Sequence, residues 1–347
     1  MKVGVFYDAY DIRCEEMPIP KIGSGEILVK MRVSGICGSD LGPEYILTKI
    51  KERGNKPVVI GHEVSGEVVK VGEGVKKFQV GDHVVPHHHV GCLSCWYCKH
   101  GAYTLCKDFY PINFDPGGFS EYFSVPQRLV EQDTYRIPEN VSFEEAAQVE
   151  PTACIIRGIR KTPLRQGDAV AVVGCGPMGL THIKLLSIFG AGEIIATDLS
   201  DFRLKAAERF GATVTVNPQV EDAVGRAKEM TDGRGVDIAF TATTSAKANE
   251  QAIKMIRPSG TLFLYAGLDP DFKLALPEIY RVCREITITS TYSASHLETE
   301  MALELMRSKR LRLGDLITHR FKLDKIAEAF KIARERQDSL KTVIVSD

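Results

Sequence analysis

No apolar run in the 347-residue chain approaches the ~20 residues that cross a bilayer, which excludes a membrane-spanning helix. Net charge is also nearly absent, because 44 Lys and Arg oppose 45 Asp and Glu. That balance argues against a nucleic-acid binder held on phosphates by a basic face. There is no internal repeat and no low-complexity linker, and residues 1–8 turn polar too soon for a secretory signal. A hydrophobic fraction of 44% with 26% charged residues excludes a largely disordered chain. The expectation is a soluble, cytoplasmic protein with no membrane and no nucleic-acid partner. At ~150 residues per domain, its length predicts about two domains.

A disulfide framework is missing too. Four of the nine cysteines crowd into 15 residues while the others scatter. In a reducing compartment such a cluster points to a metal. Cys92, Cys95, Cys98 and Cys106, spaced x2, x2 and x7, offer four soft thiolates within one loop. Four such ligands suit a closed, tetrahedral, structural zinc with no position left for chemistry.

The chain has two grammars. Up to about residue 150 it reads as β-rich, with strands at 26–33, 63–71 and 82–86 punctuated by Gly61, Gly66, Gly72, Gly74 and Gly81. This predicts a compact barrel or sandwich. From about residue 165 strands and helices alternate. Strands are expected at 168–173, 193–197, 236–240 and 260–265, and helices at 178–189, 202–210 and 246–256. Repeated βα units imply an α/β fold with a doubly wound parallel sheet. After about residue 291 the spacing predicts helices at 298–308 and 324–334 and a last strand at 341–345.

The first of those αβ strands runs into Gly174-Cys175-Gly176-Pro177-Met178-Gly179, with Asp198 19 residues further on. This is a dinucleotide fingerprint. Gly174 permits the tight turn, Gly176 lets a pyrophosphate approach the backbone, and Gly179 lets the helix pack on the strand. Asp198 would accept hydrogen bonds from the ribose hydroxyls and repel a 2′-phosphate, which favours NAD over NADP. Arg203, just past the acid, is a residue that can meet a 2′-phosphate and weakens that preference.

A second, dispersed set consists of Cys37, His62, Glu63 and Glu150. Spacing does not show that these meet, and a lone Cys or His is more often a core residue than a ligand. The run from Gly61 to Val75, GHEVSGEVVKVGEGV, with Gly81-Asp82-His83-Val84 after it, resembles the zinc signature of the medium-chain alcohol dehydrogenases. The Cys37 motif, the four-Cys lobe and the nucleotide fingerprint follow in that family's order, over essentially the whole chain. The sequence is most similar to the sorbitol/iditol (polyol) branch, which also places Glu at the third zinc position, here Glu150.

The resemblance implies a GroES-like zinc catalytic domain at 1–152, a Rossmann NAD-binding domain at 153–291, and a segment at 292–347 that returns to the catalytic domain. It implies two Zn2+ per chain, one structural and one catalytic. The latter would be held in the interdomain cleft by Cys37, His62 and a carboxylate, either Glu63 or Glu150. It further implies hydride transfer between a secondary alcohol of a polyol and NAD, with zinc as Lewis acid. Ser39 stands where the family places a hydroxyl that takes the substrate proton, although it could equally cap the helix that follows. Tyr292 stands where polyol relatives contact substrate. Thr291 and Gly42 depart from the family, which often has Arg and His there. Threonine, sugars and polyol phosphates remain alternative substrates, while a zinc-free reductase and a zinc-ribbon binding module fit the motifs poorly. His87-His88-His89 reads as a loop at the edge of the four-Cys lobe rather than a third metal site. The segment 285–290 could extend a sheet across subunits of a dimer or tetramer.

Overall fold

A strand such as Ala169–Val173, buried at every position, has no polar face and must be covered on both sides. The computed structural model, which describes residues 1–110, 113–267, 272–273, 280, 284–335 and 338–346, meets that demand with a six-stranded sheet. Its order is Val214–Val216, Glu193–Thr197, Ala169–Val173, Val236–Thr241, Ile256–Leu264, Thr287–Ser290. All its pairings are parallel. With strands numbered within the sheet this is the 3-2-1-4-5-6 order of a doubly wound nucleotide fold. The sheet lies in a compact unit, Cys154–Tyr292.

One boundary differs from the sequence reading. Helix Ala246–Met255 passes straight into strand Ile256–Leu264, so Ile256 is extended rather than helical. The strand pairs at Val236↔Ile256, bulges, and resumes at Ile238↔Thr261. The bulge, with Ser259 at φ 60°, hides the strand's first residues behind a turn-like Arg-Pro-Ser-Gly. The expected 285–290 strand forms as Thr287–Ser290 at the sheet's edge.

The other unit combines Met1–Ala153 with Ser293–Asp347. Its main sheet runs Ile317–Lys322, Lys341–Val345, Ile27–Gly35, Glu63–Val71, His83–Pro86, Thr134–Arg136, with Tyr122–Val125 also on Ile27–Gly35. Strand Lys341–Val345, from the far end of the chain, lies antiparallel to Ile27–Gly35 with Val343 opposite Gly35. A three-stranded sheet, Ile12–Glu16, Lys2–Phe6 and Val58–Val59, completes the β structure. Phe6, Phe119, Phe123 and Phe330 are fully buried in the shared core. Two longer helices of this half, neither given bounds by the sequence reading, begin at prolines. Pro43–Glu52 starts on Pro43, and Val149–Arg160 carries Pro151 in its first turn, where the missing N–H costs nothing. No helix among the described residues is long and apolar enough to cross a membrane.

Candidate active site and metal centres

In the catalytic unit the chain leaves strand Ile27–Gly35 through Ile36 and reaches Cys37, whose N–H donates to Asp40 Oδ2 at 3.0 Å. Gly61 brings the next ligand in. It has φ +104°, and a Cβ there would lie 2.8 Å from the Phe119 backbone nitrogen, so only glycine lets the chain turn into His62 and Glu63. One donor atom from each of Cys37, His62 and Glu63 lies within 4.8 Å of the others. Three of the four candidates that spacing could not connect thus meet, His62 and Glu63 buried and Cys37 half-buried.

The electrostatics there suit a cation. Asp40 is fully buried, its Oδ1 lies 3.6 Å from His62 Nδ1, and burial raises its carboxyl to about 6 against the pull of His62. Burial works against a charged His62, yet Asp40 and the Cys37 sulfur hold the imidazole well above its ordinary value. Glu63 pairs with the ammonium of Lys341, which also donates to the Ile36 carbonyl at 3.0 Å. Burial disfavours the Lys341 charge, but Glu63 and Cys37 keep it protonated. Glu63 Oε1 is buried without a hydrogen-bond partner. A thiol, an imidazole and an orphaned carboxylate oxygen are ligands that zinc accepts, so the residues present fit that ion.

Glu150, in the first turn of Val149–Arg160, falls in a different donor group. Its Oε1 lies 3.9 Å from His87 Nε2 and 4.0 Å from His88 Nδ1. His87-His88-His89 lie, as expected, in the loop between strand His83–Pro86 and the cysteine lobe, but turned inward. All three are buried, His87 Nδ1 meets Asp133 Oδ2 at 2.8 Å, and the His88 ring lies 4.8 Å from that of His62. Burial, with His89 and His62 alongside, keeps His88 neutral. The reason is the strand end at Pro86: the His87 N–H donates to the Asp133 carbonyl at 2.9 Å rather than turning outward. Sequence reading missed Asp133 and Lys341 altogether. Ser39 opens a 3-10 turn, exposed, and makes no capping bond; Gly42 caps the helix that follows, so the capping role falls away.

The cysteine lobe is tightly closed. Donor atoms of Cys92, Cys95, Cys98 and Cys106 lie within 4.8 Å of one another. The sulfurs accept backbone N–H bonds: Cys92 and Asp108 donate to Cys106, and Cys95 donates to Cys92, at 3.3–3.4 Å. Hydrogen bonds from Ser94 and the backbone pull Cys92 down to about 6, while burial pushes Cys98 up to about 12. Four sulfurs so close cannot all ionise without a cation among them, and a tetrahedral zinc satisfies that condition.

In the nucleotide unit Gly174 has φ +96°, and a Cβ on Gly179 would overlap the Gly174 carbonyl. A Cβ on Gly176 would meet nothing within 4 Å, so internal packing does not require glycine there and the backbone is open to a phosphate's approach. Helix Pro177–Phe189 starts at this point with Pro177 and Met178 in its first turn, its open N–H groups ready for an anion. Asp198 Oδ2 accepts from Cys175 N–H at 2.8 Å and Oδ1 from Ser200 N–H at 2.9 Å, with Arg203 Nη1 4.0 Å away. Tyr292, 47% exposed, is the last residue of this unit.

Comparison with known proteins matches this construction. Residues 23–139 fit the alcohol dehydrogenase GroES-like domain, and residues 177–308 fit the zinc-binding dehydrogenase family. Sorbitol dehydrogenase of Bacillus subtilis is 34% identical over 99% of this chain and 97% of the relative. L-threonine 3-dehydrogenase of Pyrococcus abyssi is 34% identical over 94% of this chain and 93% of its own. The crystal structure of 2R,3R-butanediol dehydrogenase from Bacillus subtilis superposes with a TM-score of 0.86 at 33% identity, covering 100% and 99% of the two chains. The chain belongs to the medium-chain, zinc-binding alcohol dehydrogenases, oxidoreductases of CH–OH donors that use NAD(P), and lies near their polyol branch.

Proposed function

We propose that this protein oxidises a secondary alcohol of a free polyol to the ketose with NAD, and reduces the ketose in reverse. The observation that carries this reading is the carboxylate-rich surround of Cys37 and His62, with Glu63 in the donor group and Glu150 nearby. A thiolate-poor, oxygen-rich pocket is harder and more polar, which favours a substrate with several hydroxyls over an aliphatic alcohol.

Cys37, His62 and Glu63 would hold the catalytic zinc, and Cys92, Cys95, Cys98 and Cys106 the structural one. The catalytic ion, when bound, supplies Lewis acidity that makes a hydroxyl of pKa near ~16 acidic enough to lose its proton near neutrality. The buried Lys341 ammonium pairs with Glu63 and holds it in place. The exposed Ser39 hydroxyl accepts the substrate proton and passes it on, since Ser cannot store a proton at pH 7. Gly42 offers no imidazole to complete the relay, so water or a neighbouring acid such as Glu44 finishes it. Gly174, Gly176, Pro177, Met178 and Gly179 seat the pyrophosphate, and Asp198 takes the ribose hydroxyls and selects NAD. Tyr292 contacts the substrate's distal hydroxyls. The edge strand Thr287–Ser290 pairs with a second copy to form a homodimer or tetramer. Reduced thiols in the lobe call for the cytoplasm.

The test is a panel of free polyols, polyol phosphates, simple secondary alcohols and L-threonine, with NAD or NADP, followed by nicotinamide absorbance. A free polyol with NAD should give the highest kcat/KM. Threonine or a phosphorylated polyol at the top would replace this reading.

A further inference from the structure

Helix Pro43–Glu52 follows the Cys37 loop and carries Tyr45 and Lys49 one turn apart. Residues at that spacing share a helix face, and the fully buried Ile46 fixes the helix on the core. We propose that Tyr45 and Lys49 are specificity-determining residues of the alcohol site, which hydrogen-bond hydroxyls of the substrate other than the one oxidised. The inference rests on the polyol reading above and names the side chains of this chain that enforce it.

Placement gives the first support. Burial raises the pKa of the Tyr45 hydroxyl, and Asp40, Tyr110, Cys37 and Glu150 stand near enough to raise it further. The phenol thus lies beside the catalytic donors and keeps its proton, ready to donate. Among the described residues no hydrogen bond engages it. The Lys49 ammonium comes next along the face, 4.9 Å from the Tyr110 ring and 5.8 Å from the Tyr45 ring. Its charge also reaches His88, whose ring lies 4.8 Å from that of His62.

Chemistry gives the second. The Lys49 side chain is only 19% exposed, and one of its N–H donors meets Glu52 Oε2 at 3.0 Å. Glu52 is its one hydrogen-bond acceptor among the described residues, and an ammonium has three donors, so two remain for a ligand. The Lys49–Glu52 pair is neutral as a whole and offers both donors and acceptors. A run of hydroxyls needs that mixture, because each hydroxyl gives one hydrogen bond and accepts others. A phosphate calls instead for a cation with no carboxylate already on it. The rings of Tyr45 and Tyr110 add apolar faces for the C–H side of a carbon chain. One helical turn, ~5.4 Å, separates the two polar groups along the axis, so they meet hydroxyls several carbons apart. A monohydroxy alcohol has nothing to offer either. A Lys–Glu pair on a helix surface adds little to stability, so folding alone gives this ammonium no reason to be enclosed between two rings.

The experiment measures kcat and KM of the zinc-loaded enzyme with NAD on sorbitol and on 2-butanol. Lys49→Met should lower the sorbitol-to-2-butanol ratio of kcat/KM about tenfold or more, through KM for sorbitol rather than kcat. Tyr45→Phe should lower the same ratio by a smaller factor, because a neutral hydrogen bond is the weaker one. Lys49→Arg should retain most of the ratio, and Lys51→Met, at the exposed neighbour, should leave it unchanged. Zinc content and circular dichroism should match the parent in each variant. A parent that favours sorbitol while Lys49→Met keeps that preference overturns the proposal and leaves the polyol reading standing. Equal losses on both alcohols do the same, since they mark a merely structural role. A parent with no preference for sorbitol or any other polyol removes the reading and the proposal together.

Discussion

Asp198 accepts a hydrogen bond at 2.8 Å from the N–H of Cys175, inside the glycine loop between strand Ala169–Val173 and helix Pro177–Phe189. The residue expected to read the ribose is therefore also a brace for the phosphate loop. Asp198→Ala removes this bond, the one from Ser200 at 2.9 Å, and the negative charge facing a 2′-phosphate. NAD affinity should fall by about 1–3 kcal/mol, the scale of lost charge-assisted hydrogen bonds. NADP should lose less, because Arg203 Nη1 lies 4.0 Å from Asp198 Oδ2 and can meet its phosphate. The ratio of kcat/KM for NADP over NAD measures this, and an unchanged ratio contradicts it.

Lys341 and Glu63 form a buried ion pair in which neither partner reaches water. Lys341→Met leaves a carboxylate uncompensated beside the catalytic donors and removes a bond to the Ile36 carbonyl. Breaking such a pair costs about 3–5 kcal/mol. Denaturant melts should show that loss in the metal-free protein. A change below about 1 kcal/mol would mean that Glu63 finds another partner.

Gly91 lies just before the cysteine lobe, and a Cβ there would sit 2.9 Å from Cys98 Sγ and 3.3 Å from the Tyr103 carbonyl. Gly91→Ala should push the sulfur off its position, at an overpacking cost of roughly 1–3 kcal/mol. Zinc should leave the lobe faster in competition with a metal-binding dye, while turnover by freshly prepared enzyme changes little. Identical release curves for variant and parent would show that the loop yields without cost.

His182 is the single histidine in the nucleotide unit, fully buried, with Nδ1 2.8 Å from the Met178 carbonyl and Nε2 unpartnered. Burial pulls it down to about 4, against an ordinary value near 6.5. Between those values the unfolded chain binds the extra proton, so stability is full above about pH 6.5 and falls toward pH 4. The difference corresponds to at most about 3 kcal/mol. Melting temperature against pH should fall more steeply for the wild type than for His182→Leu through that window. Parallel curves would remove His182 from the acid sensitivity.

What the sequence reveals depends on how far apart cooperating residues lie. The cysteine lobe is readable because its ligands fall in one loop, and the nucleotide loop because strand, glycines and helix are contiguous. Cys37, His62 and Glu63 are joined by sheet pairing between Ile27–Gly35 and Glu63–Val71, and a family resemblance anticipates that meeting where spacing cannot. Lys341 arrives through a strand from the other end of the chain, and no local pattern marks it. His87 and Asp133 are 46 residues apart, and three identical histidines have no periodicity to say which way each points. Ile256 was misplaced because a bulge imitates a turn.

The position of strand Lys341–Val345, paired with Ile27–Gly35, has a consequence for the order of events during synthesis. The nucleotide unit is one continuous stretch and can fold as soon as it emerges. The catalytic unit, though it begins first, must wait until translation has passed through the whole of its neighbour. Until then Glu63 has no ammonium partner, and the Val33–Gly35 end of the strand presents an open edge to any other chain nearby. A ribosome that stalls after residue 292 therefore releases a product with a finished nucleotide unit and an unfinished, adhesive catalytic one.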